Sequence, residues 1–148
     1  MENTANSAAA VPALYDRYIQ SVDAYYAKQK AGDILGAMFS GRGRYGGCPL
    51  HEPFLLELKQ LIADFAKSDP SPAPAEELLY FMLLTEHVPQ SHPAALILET
   101  AEGLALPLLP CLSRETRETL FARYRLKLRK RSGLPCQREV LKELKRSL

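Results

Sequence analysis

EPFLLELKQLIADFAK, Glu52–Lys67, sets Phe54, Leu58, Leu61, Ile62 and Phe65 three and four residues apart. That spacing follows the 3.6-residue turn of an α-helix, so one apolar stripe faces a core and the charged positions face water. Pro53 falls in the first turn, where its missing N–H costs nothing. No stretch of the chain sustains the apolar–polar alternation of a half-buried strand, so the fold is read as all-α.

The same grammar extends outward. Downstream, SDPSPAP (Ser68–Pro74) is a stiff linker, and Ala75–His87 predicts a helix apolar on most sides through Leu78, Leu79, Phe81, Met82, Leu83 and Leu84. Such a helix belongs in the middle of a fold. Pro89 ends it, Pro93–Glu102 predicts a fourth helix, and Pro107 and Pro110 fragment the stretch beyond. Ser113 with Thr116 reads as a cap for a long helix to Arg131, and Glu115 and Glu118 suit its positive end. SGLP (Ser132–Pro135) breaks the chain before a last helix, Pro135–Ser147, striped by Leu141, Leu144 and Leu148.

Upstream, Val11, Leu14, Tyr15, Tyr18, Val22, Tyr25 and Tyr26 trace a first helix starting at Pro12. The tyrosines read as core, with a partner-facing surface as the alternative. Met1–Ala10 reads as a flexible leader; it has no basic n-region or long apolar run of a secretory signal. Gly32 or Gly36 breaks the helix, and Ile34, Leu35, Met38 and Phe39 either extend it or form a second short one. The expectation is one compact multi-helix domain over 11–148, orthogonal or bundle-like, with five to seven helices and a basic C-terminal pair. A 148-residue chain with 47% hydrophobic content supports one core. Three scattered cysteines, Cys48, Cys111 and Cys136, suit reduced thiols and a cytoplasmic location. No segment is apolar enough to span a bilayer, so no membrane partner is expected.

Charge is the strongest functional lead. From Arg114 to Leu148 there are 12 Lys/Arg against 4 Asp/Glu, net +8; Met1 to Ser113 carries 7 against 13, net −6. Helix, glycine-containing turn and helix match a helix-turn-helix unit. In that reading Gln137 and Arg138 reach base edges, Arg123, Lys127, Lys130 and Arg131 of the long helix contact phosphates, and Lys142 adds a further cation on the last helix. Glu139 and Glu143 set negative charge on the same helix and can pair with Lys142 and Arg146. Charge reversal at Lys127 and Lys130 is expected to weaken binding of all sequences alike. Cations gathered on an exposed, unpaired face favour nucleic acid or an anionic protein surface as partner. Pairing with Asp16, Asp23, Glu57 or Asp64 favours a protein–protein module, adaptor, regulator or subunit, homo-oligomeric or heteromeric.

SGRGRYGGCP, Ser40–Pro49, is a loop whose four glycines let amides form an anion nest. Arg42 and Arg44 offer guanidinium forks to a phosphate, and Tyr45 can stack on a base. It is neither a Walker A loop nor a dinucleotide fingerprint. Cys48 and His51 have the spacing of half a zinc site, or of a nucleophile and base. No second half or third orienting group accompanies them, so no metal, cofactor or catalytic residue is assigned, and an enzyme is the least favoured class. Glu99 and Glu102, at i,i+3, are read as the exposed edge of the fourth helix.

Overall fold

The computed structural model describes residues 2–30, 49–68, 71–129 and 133–148; side chains are described for these except 2–8 and 29–30. Among them are six α-helices, one 3₁₀ segment and no strand: α1 (Glu2–Lys30), α2 (His51–Lys67), α3 (Pro72–Leu83), α4 (Ala95–Ala101), the 3₁₀ segment (Glu102–Cys111), α5 (Arg114–Arg129) and α6 (Pro135–Arg146). The all-α multi-helix expectation holds. Ile34, Leu35, Met38 and Phe39 lie outside the described residues.

α2 forms where its stripe predicts. Phe54, Leu58, Ile62 and Phe65 are buried along one face, and Leu56 on the opposite side is 69% exposed. α3 likewise buries Leu78, Leu79, Met82 and Leu83, with Phe81 and Leu84 half-buried. It ends at Leu83, short of the expected His87. Thr85 caps that end, its backbone N–H and its hydroxyl both donating to the Tyr80 carbonyl.

Two elements depart from expectation. α1 reaches back to Glu2, so Pro12 sits inside the helix instead of at its start. One proline removes one backbone hydrogen bond, and the Ala-rich stretch before it has high helix propensity. The second departure matters more. The Pro107/Pro110 segment, expected to be fragmented, is a ten-residue 3₁₀ helix that packs against α2, α3, α4 and α6. Its Ala105, Leu108 and Leu109 are buried. A tight helix with few donors to satisfy suits a proline-bearing stretch of chain wedged between α-helices.

One contiguous core joins every described element. Tyr15 meets Phe54 and Phe81 edge-on at 5.4 and 4.9 Å, and Tyr18 stacks on Phe54 at 4.1 Å. Both tyrosines are buried, as their helical spacing predicts. α5 and α6 pack on one another, with Leu120, Tyr124, Val140 and Leu144 turned into the core.

Candidate functional site

Ser113 opens α5 as the sequence predicts: its Oγ accepts from Thr116 N–H at 3.2 Å and donates to Thr116 Oγ1 at 3.0 Å. From that start, Leu120, Tyr124 and Lys127 fall on one helical face, three and four residues apart. That face is the buried one. Lys127 therefore turns inward: its Nζ lies 3.0 Å from Glu102 Oε2 and also donates to the Leu83 carbonyl. Tyr124 Oη donates to Glu102 Oε1 at 2.7 Å. Gln137 Nε2 donates to the same oxygen at 3.2 Å, while its Oε1 accepts the Leu134 N–H at 2.9 Å and closes the start of α6.

Glu102 is only 3% exposed, which corrects its reading as a surface-edge residue. The clue lies in its neighbours. Leu98, Ala101, Ala105 and Leu109 surround it at core-facing spacing, so the carboxylate falls on the apolar stripe. Burial pushes its pKa above the usual carboxylate value, opposed by Lys127, Tyr124 and Gln137. Burial, with Glu102 beside it, likewise raises the Tyr124 phenol, which stays protonated and donates. With Oε1 serving two donors and Oε2 engaging an ammonium, this carboxylate ties the 3₁₀ segment to α5 and α6. The adjoining recess, lined by His87, Gln90 and Glu99, is about 30 Å³, room for a water molecule.

Buried His51 and half-buried His87 are both hydrogen-bonded within the fold. His87 Nε2 donates to the Phe81 carbonyl at 2.8 Å, and burial holds its pKa below the usual histidine value. His51, whose Nδ1 is hydrogen-bonded to Tyr18 Oη, is lowered for the same reason. Cys48 lies outside the described residues. Among the described ones no three His, Cys, Asp or Glu side chains come together as a metal-ligand group.

The remaining cations divide into held and unheld. Arg123 lies over the Tyr80 ring at 5.3 Å. Arg114 pairs with Glu118 at 3.4 Å, and Arg146 with Glu143 at 2.7 Å. Arg125, Arg129, Arg138, Lys142 and Lys145 are exposed and have no ion pair among the described residues; the expected Glu139–Lys142 pair is not among those formed there. On α6, Arg138, Lys142 and Lys145 follow i, i+4, i+7 and form one stripe. The front carboxylates meet other groups: Asp23 bonds with His92 at 2.6 Å, Glu57 pairs with Arg17 at 3.7 Å, and Asp64 accepts from Gln60 at 2.9 Å.

Two expected contacts are thereby corrected. Lys127 and Gln137 serve the core and are not available to phosphates or base edges, because both satisfy the buried Glu102. Arg123, Arg138 and Lys142 are exposed as expected. Arg42, Arg44, Tyr45, Lys130 and Arg131 lie outside the described residues. No helix among the described residues is long and apolar enough to cross a membrane. Comparison with family models, curated proteins and solved structures finds no match.

Proposed function

We propose that this protein binds nucleic acid through the exposed cations of α5 and α6, by charge and without reading sequence. The observation that carries the reading is the unpaired set Arg125, Arg129, Arg138, Lys142 and Lys145. Unneutralised cations release counterions when they meet phosphates, and this term supplies nearly all non-specific affinity. The inward turn of Gln137 argues against base readout from the start of α6. The glycine-rich sequence adds Arg42 and Arg44 as further candidates for phosphate contact.

The test is fluorescence anisotropy of a labelled duplex and of a labelled single strand at low and rising salt. Binding at low salt that falls steeply with salt, and equally for unrelated sequences, supports the proposal. No binding of either probe at low salt overturns it. Retention of binding at high salt, or strong preference for one sequence, overturns the charge-only form.

A further inference from the structure

Arg117 and Glu139 line one groove between α5, α6 and the 3₁₀ segment, about 310 Å³ in volume, with Leu106, Leu109 and Pro110 as its apolar wall. Both charges are unspent. Arg117 Nε is enclosed by protein and has no hydrogen-bond partner among the described residues, and neither Arg117 nor Glu139 takes part in an ion pair there. Glu143 and Arg146, which complete the charged lining, neutralise one another at 2.7 Å. Arg117 therefore meets no carboxylate among the described residues, and an anion seated in the groove can pair with the part of its guanidinium that lines it.

Two other cavities among the described residues lack this combination. The recess beside Glu102 has room for little more than water. In the groove formed by Leu14, Tyr18 and Phe54, the charged pair Arg17 and Glu57 already satisfies itself. The Arg117 groove alone among these combines an apolar wall, an unpaired cation and an unpaired anion. Its volume lies at the lower end of small-molecule sites, about 300–1,000 Å³.

We infer that this groove binds a free α-amino acid with an apolar side chain. The ligand carboxylate accepts from the Arg117 guanidinium, its ammonium donates to Glu139, and its side chain lies on Leu106, Leu109 and Pro110. A simple carboxylate would leave Glu139 unanswered, and a simple amine would leave Arg117 so. The site is on the flank of α6 that carries Glu139 and Glu143, away from the Arg138–Lys142–Lys145 stripe, and does not depend on nucleic-acid binding.

The experiment is an NMR titration of the full chain with L-leucine, N-acetyl-L-leucine and L-leucinamide. Leucine is expected to give saturable shifts at the Leu106 and Leu109 methyls, with Kd in the millimolar range or below. Each half-charged analogue is expected to bind about tenfold more weakly, a loss of about 1.4 kcal/mol. Arg117→Gln should lose leucine binding. Glu139→Gln, at an exposed position that leaves folding intact, should bind leucine no better than N-acetyl-L-leucine. Lys142→Gln should bind leucine as the parent does. No saturable shift with leucine, equal binding of all three compounds, or an unchanged preference in Glu139→Gln overturns the proposal.

Discussion

Tyr124 Oη donates to Glu102 Oε1 at 2.7 Å, joining positions 22 residues apart. That bond places the middle of α5 on the first residue of the 3₁₀ segment, and Lys127 and Gln137 attach one turn further along α5 and the start of α6 to the same carboxylate. A single buried acid thereby sets the orientation of the basic helix pair against the rest of the core. The outward position of Arg138, Lys142 and Lys145 follows from it, because Gln137, Val140 and Leu144 face in.

Glu102→Gln is expected to lower unfolding free energy by about 3 kcal/mol, since it leaves Lys127 half-buried without its counter-charge. Adding Lys127→Met should recover most of that loss, because removing both charges also removes the desolvation cost. Urea unfolding followed by circular dichroism checks both. A double variant no more stable than Glu102→Gln alone would refute the ion-pair account.

Stability should fall in mild acid through His51 and His87. Burial holds both pKa values below the usual histidine value of 6.5, so the folded state binds protons less readily than the unfolded chain. Their contribution is complete above about pH 6.5 and is lost as pH falls through the lowered folded values. Replacing His87 with Phe keeps a ring beside Tyr15 and Phe81 and removes one titrating group. Its urea midpoint should vary less between about pH 7 and pH 5 than the parent's.

Arg138, Lys142 and Lys145 replaced together by Gln should weaken duplex binding. The slope of log affinity against log salt should drop by roughly 0.9 for each phosphate no longer neutralised, about 2.7 for three. Glutamine at these exposed positions should change the urea midpoint little. An unchanged salt slope would remove α6 from the binding surface.

Gly103→Ala should destabilise by about 1 kcal/mol, even though alanine is the better helix former. A Cβ there would stand 3.2 Å from the Cys136 Cβ of α6. Cys136→Ala keeps that Cβ and should bring no relief, whereas Cys136→Gly should show favourable coupling with Gly103→Ala of at least about 0.5 kcal/mol in a double-mutant cycle.

The helices themselves were legible from local pattern. Phe54 to Phe65 and Leu78 to Leu83 bury the faces their spacing marks, and Ser113 caps α5, because each depends on neighbours within one or two turns. The role of the Pro107/Pro110 segment was not legible. Proline announces where an α-helix fails, not whether the resulting 3₁₀ turn will be enclosed by four other elements.

Period and composition by themselves determined an all-α chain, the stripes that become core, and a cationic C-terminal segment. Tertiary packing alone decided which cations remain available. Lys127 and Lys142 are the same residue type on adjoining helices, yet one satisfies a carboxylate 25 positions earlier and the other meets solvent. The reason is that a buried charge must find its partner wherever the fold brings one, and sequence spacing does not encode distances between helices.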